Sequence, residues 1–100
     1  MADLIEADYG KLEQVHKQFS RQADTMNKMI KDIRARMAPL QDGGWKGDAA
    51  DAFFSEMHGE VLPACLRLKK ALREAASTTK RIGKTVQKAE QDAKSAFKIF

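Results

Sequence analysis

Apolar residues recur every seventh position over almost the whole chain, in two stretches separated by one short break. Ile5, Leu12, Phe19, Met26, Ile33 and Leu40 form one column, and Tyr9, His16, Ala23, Ile30 and Met37 form a second column four residues on. Phe54, Val61, Leu68, Ala75, Ile82, Ala89 and Ala96 repeat the pattern after the break, flanked by Met57, Ala64 and Ala71 and by Cys65, Leu72, Val86, Ala93 and Phe100. A period near 3.5 sustained this long specifies packed helices and excludes strands, whose side chains alternate with a period of two.

Pro39 lacks an N–H and biases Ala38 away from helical angles, so the first helix is expected to end there. The segment Gln41-Asp-Gly-Gly-Trp-Lys-Gly-Asp48 follows, a glycine-rich turn in which Asp42 or Asp48 could cap the next helix. The expected organisation is a single hairpin over 1–100, with helix 1 at about 3–38, the turn at about 41–47 and helix 2 at about 48–96. Pro63 would press on the carbonyl of Gly59, so a kink is expected near 59–63, with the heptad phase kept on both sides.

A short connection makes the two helices antiparallel neighbours. Pairing positions that sum to about 87 puts Ile33 on Phe54, Met26 on Val61, Phe19 on Leu68, Leu12 on Ala75 and Ile5 on Ile82, an apolar rung each time. This register sets His16 near Ala71 and His58 near Met29, and leaves 87–100 as a projecting arm. Tyr9, Ile30, Met37, Leu72 and Val86 would then remain uncovered. Two helices form a single layer, and stripes this wide call for a second layer. The fold class expected is all-α: an antiparallel two-helix hairpin that dimerises into a four-helix bundle.

Several functions lack their chemistry. No nucleophile elbow, zinc-binding His-Glu-x-x-His or phosphate loop is present, and the glycines at 43, 44 and 47 have no preceding strand. The expectation is no catalytic residue, no metal, no cofactor and no enzyme. A single cysteine, Cys65, cannot form an internal disulfide and is read as a small apolar residue, with a bridge between copies as the alternative. No apolar run could span a bilayer, and the acidic start, Met-Ala-Asp-Leu-Ile-Glu, does not have the form of a Sec signal.

Charge is uneven. Residues 1–66 hold 8 Lys and Arg against 11 Asp and Glu, whereas 67–100 hold 10 against 3. The basic run Arg67, Lys69, Lys70, Arg73, Lys80, Arg81, Lys84 and Lys88 reads first as a solvated face. Nucleic acid is the lesser expectation, because no aromatics are interleaved with the cations, and membrane surface or an acidic partner stands lower still.

With Gly44-Trp45-Lys46-Gly47 midway between two long helices, followed by Ala49-Ala50 and Ala52-Phe53, the whole chain resembles the WXG superfamily of early-secreted-antigen-like proteins. The resemblance implies a non-enzymatic substrate of type VII secretion, cytoplasmic before a leaderless export and then extracellular. It would partner itself or a second WXG-like hairpin, and the secretion machinery. Within it, Trp45 and Gly47 would shape the turn and Trp45 would also dock. Ile5, Leu12, Phe19, Met26, Ile33, Phe54, Val61, Leu68 and Ile82 would form the core and dimer interface. The family's Tyr-x-x-x-Asp/Glu is replaced here by Val86-Gln-Lys-Ala-Glu90, a degenerate form, and Tyr9-Gly-Lys-Leu-Glu13 has the spacing only by chance. The alternatives are a cytoplasmic adaptor or chaperone for a larger effector, and a small basic DNA-binding protein.

Overall fold

The computed structural model describes residues 2–99, and the side-chain environments of 9–97. Every element is helical, and among the described residues there is no strand. The chain is an all-α helical hairpin: α1 spans Ala2–Pro39, α2 spans Asp48–Glu56 and α3 spans Leu62–Ile99. A wide turn at Leu40–Gly44 follows α1, and a second one at Met57–Val61 joins α2 to α3.

The chain divides into two compact units, Gln22–Leu72 around the turn and a second formed by residues 1–21 with 73–100. In the first, Met37, Ala50 and Phe54 form a buried core, with Ile33 and Met57 packed against it. Ala23, Ile30 and Leu62 are buried in the same unit, and Lys69 Nζ donates to Asn27 Oδ1 at 3.3 Å. In the second unit Ala76 and Thr79 are buried. There a Cβ added to Gly83 would come within 3.7 Å of the Tyr9 ring, and His16 Nδ1 lies 2.8 Å from the Ala76 carbonyl.

These contacts revise the register. His16 meets Ala76 instead of Ala71, Tyr9 meets Gly83, and Phe54 shares a core with Met37 as well as Ile33. In the second unit paired positions therefore sum to 92, five residues beyond the expected value, or about 1.4 helical turns. The cause lies at the tip. Pro39 keeps helical angles and does not stop the chain; the helical path is broken only at Asp42 and Gly43, whose φ of 115° turns the backbone. Proline loses one hydrogen bond and crowds one carbonyl, and so close to a terminus a widened turn absorbs both.

The buried column is also revised. Ile30 and Met37, expected to be uncovered, are only 2% and 5% exposed. Leu68 and Ile82, expected on the inner rungs, are each 47% exposed. The wide turn at Met57–Val61 accounts for the α3 side. Leu62 N–H reaches back to Met57 O, five residues instead of four, which relieves the Pro63 ring and inserts one residue into the repeat. Burial consequently passes from Phe54 to Leu62, Ala76 and Gly83, one residue out of step with Val61, Ala75 and Ile82. The heptad phase is not kept across Pro63.

Of the interface residues expected from the sequence, Phe54 is buried, and Leu12, Phe19, Met26, Ile33 and Val61 are half-buried. The side chain of Ile5 lies outside the described residues, as does Phe100. Val86 and Glu90 remain half-buried while 91–97 are exposed, so the exposed arm begins near 91, not 87.

Candidate interaction site at the hairpin turn

The turn is built around three glycines that no other residue replaces easily, Gly43 through its φ of 115°. A Cβ on Gly44 would sit 2.8 Å from the Pro39 carbonyl oxygen, well inside contact distance. Gly47 has φ 117° and ψ 176°, a combination closed to side chains with a Cβ. Between them Trp45 is extended, and its N–H donates to Leu40 O at 2.9 Å, which closes the turn.

Gly47 is also the residue that starts α2. Its carbonyl accepts the Asp51 N–H at 3.0 Å, the first bond of the helix. The cap expected from Asp42 or Asp48 is not formed, since Gly47 occupies the cap position and no side chain bonds there. Asp48 and Asp51 fall instead in the first turn, where the helix dipole favours negative charge.

Backbone direction at Gly47 brings Trp45 over the opening of α2. Its ring lies 5.4 Å from Phe53 and 5.7 Å, edge-on, from Phe54; the two phenylalanines are 5.5 Å apart. Each such aromatic pair adds about 0.5–1.5 kcal/mol beyond area burial. Phe54 faces inward, while Trp45 and Phe53 are each 40% exposed and Leu40 beside them is exposed too. Trp45 thus has one ring surface packed and another open. Lys46 is exposed, and it lines a shallow hollow together with Gln41, Asp42, Trp45, Asp51 and Phe54. Phe53 is the site residue that the motif alone does not select; its signal is the adjacent aromatic pair one turn into α2.

Away from the turn, each unit carries an apolar strip beside its seam. In the first it comprises Met29 and Leu68 with half-buried Met26 and Ile33. In the second it comprises Val15 and Ile82 with half-buried Leu12, Phe19, Ala75 and Val86.

The histidines are tied structurally. His16 is half-buried and bonded to the Ala76 carbonyl, so Nδ1 carries the proton. His58 is exposed, and its Nε2 donates to Gln41 Oε1 at 2.8 Å, far from the expected Met29 position. Among the described residues no group of three His, Cys, Asp or Glu side chains is placed to hold a metal, and Cys65 is half-buried. Among the described residues no helix is long and apolar enough to cross a membrane.

At the open end, Glu90 pairs with Lys94 at 3.3 Å and its side chain is only 15% exposed. Tyr9 Oη donates to Gln87 Oε1 at 3.4 Å, which sets the only tyrosine of the chain beside the Val86–Glu90 segment.

A two-helix all-α chain with a Trp-x-Gly turn of this geometry defines a class of small helical-hairpin proteins. The comparison with protein families makes it specific: the family of proteins of 100 residues with WXG, WXG100, matches over residues 4–91. The chain belongs to the WXG100 family. No curated protein and no solved structure matches it.

Proposed function

We propose that this chain is a non-enzymatic WXG-type substrate of type VII secretion that acts by associating with a second helical hairpin, either its own copy or a related chain. Membership of the WXG100 family, known for type VII substrates, supports the export half of this reading. The observation that carries the association half is the apolar strip outside each seam. Val15, Met29, Leu68 and Ile82 are large, apolar and 38–47% exposed, so burying what remains open gains roughly 0.5–1.5 kcal/mol each. A second hairpin laid on these strips completes the second layer that a lone helix pair lacks.

In this reading Gly44 and Gly47 hold the turn, and the open faces of Trp45 and Phe53 offer the machinery a docking surface. Export carries the chain from the cytoplasm to the outside. The family's second element is degenerate at Val86 and Glu90, and the hydroxyl of Tyr9, reaching across from α1 to Gln87, takes the place of the missing tyrosine.

Native mass spectrometry of the chain expressed alone tests the association, with twice the chain mass expected. A stable monomer that also fails to pair with any WXG hairpin encoded beside it would overturn it. An export assay with and without the membrane ATPase of the secretion system tests the rest, and unchanged extracellular levels would count against it. Trp45→Ala should abolish export while leaving helicity intact.

A further inference from the structure

We propose that the flank of α3 bearing Arg73, Lys80, Arg81, Lys84 and Lys88 binds the phosphate backbone of duplex nucleic acid without reading its sequence. At 3.6 residues per turn these positions fall on one side of the helix, with Ser77 filling the gap in the line. All of them are exposed. Asp32 pairs with Arg36 and Glu90 with Lys94, so neither of these carboxylates neutralises Lys80, Lys84 or Lys88. The Arg81 guanidinium donates to the uncharged Thr78 hydroxyl, which orients it and leaves its charge in place.

Nothing acidic interrupts the line. Glu74 borders it, and Glu13 of α1 shares a shallow hollow with Lys80 and Lys84 on its inner side. The positive potential is therefore a narrow strip along the helix axis, about 22 Å from Arg73 to Lys88 at 1.5 Å per residue. A narrow strip complements a rod-shaped polyanion, since duplex DNA presents about one charge per 1.7 Å of axis. A flat anionic membrane would also press Glu74 and Glu13 against its surface, and the strip holds no apolar side chain to insert among lipids. Single strands are disfavoured for a different reason: no aromatic lies among the cations for bases to stack on. Arg81 shares a hollow with Ile82, but Lys80, Lys84 and Lys88 lie well round α3 from Ile82, so pairing through the apolar strip leaves these three open.

Fluorescence anisotropy of the full chain with a labelled random-sequence duplex of about 20 base pairs tests the proposal. Four phosphates contacted, at a slope of roughly −0.9 each, should weaken binding about 150-fold between about 50 and 200 mM salt. The K80E/R81E/K84E variant should lose at least about tenfold in affinity at the lower salt, and K80Q/R81Q/K84Q a smaller amount, with circular dichroism unchanged. K17E/K28E/K31E on α1 makes the same change in net charge and should stay within about threefold of the parent. Absence of duplex binding at low salt would overturn the proposal, as would equal losses in the α1 and α3 variants. Tighter binding to vesicles rich in phosphatidylserine than to the duplex would assign the strip to lipid and equally overturn it.

Discussion

The two compact units solve the same packing problem with different materials. Around the turn, Gln22–Leu72 buries large apolar groups: Ile30, Met37, Phe54 and Leu62, with the Trp45–Phe53–Phe54 cluster closing the end. Among the described residues of the unit formed by 1–21 and 73–100, the buried positions are small or polar: Ala76, Thr79 and Gly83, met by the half-buried His16 and Tyr9. Thr79 answers its own hydroxyl by donating to Ala75 O at 2.7 Å. One unit rests on burial and backbone shape, the other on close approach and local hydrogen bonds. Dispersion and the hydrophobic effect scale with the area removed from water, so the turn unit should carry most of the stability. The other unit, with less to lose on opening, should exchange its amides first.

Deleting Gly59 should erase this difference altogether. The wide turn at Met57–Val61 contains one residue more than an α-helical path, and its loss would rotate all of α3 by about 100° relative to α2. Pro63 would then meet an unrelieved helix, at a cost of about 3 kcal/mol or more, and both seams would present the wrong column. Urea denaturation followed by circular dichroism should show a large drop in midpoint or no cooperative transition. A variant as stable as the parent would mean that the extra residue does not set the phase.

Phe54→Ala attacks the turn unit alone. Removing a buried aromatic costs about 3–5 kcal/mol. Hydrogen exchange should speed up through Gln22–Leu72 while protection in the other unit changes less. Uniform loss in both would show that they open as one.

How much of this was legible in the sequence follows the same division. Pro39 and the glycines at 43, 44 and 47 punctuate the chain so strongly that two helices and a turn follow from local chemistry, and Trp45 marks the turn's family. Which column is buried was not legible. The columns led by Leu12 and by Tyr9 are both apolar and both seven-fold periodic, so periodicity alone cannot rank them. Pro63 announced a disturbance, but a bend and an inserted residue leave the same trace in the letters. Only the Leu62-to-Met57 hydrogen bond distinguishes them, and it moves Leu68 and Ile82 from the seam to the surface. The aromatic cluster was half legible, since Phe53 becomes a site residue only once Gly47 directs Trp45 onto it.

Gly47→Ala sharpens the account of the turn. The backbone angles at this position exclude a Cβ, and strain of this kind costs about 1–3 kcal/mol. Nothing lies within 4 Å of the position a Cβ would take, so the penalty is conformational and not steric crowding by neighbours. Gly47→Asn, which tolerates positive φ better than Ala, should recover little, because ψ near 180° lies outside the left-handed well that Asn uses. A shift in the near-ultraviolet dichroism of Trp45 should accompany the drop in melting temperature. Recovery of full stability by Asn would show that the turn relaxes into an ordinary left-handed geometry.

The smallest expected effect discriminates most finely between a structural and a functional role at the open end. Tyr9→Phe removes one exposed hydroxyl whose bond to Gln87 is long, so stability should change by less than about 0.5 kcal/mol. The ring still covers Gly83, and burial is unaltered. If the hydroxyl serves only the seam, the variant should behave as the parent in every assay. If Tyr9 stands in for the tyrosine missing at Val86, export should fall sharply while the melting temperature holds. Gln87→Ala separates the causes further: it frees the same hydroxyl without removing it, and should spare export where Tyr9→Phe does not. Parallel losses of export and stability in both variants would mean that Tyr9 is packing alone, and that the substitution at Val86 has no compensation on α1.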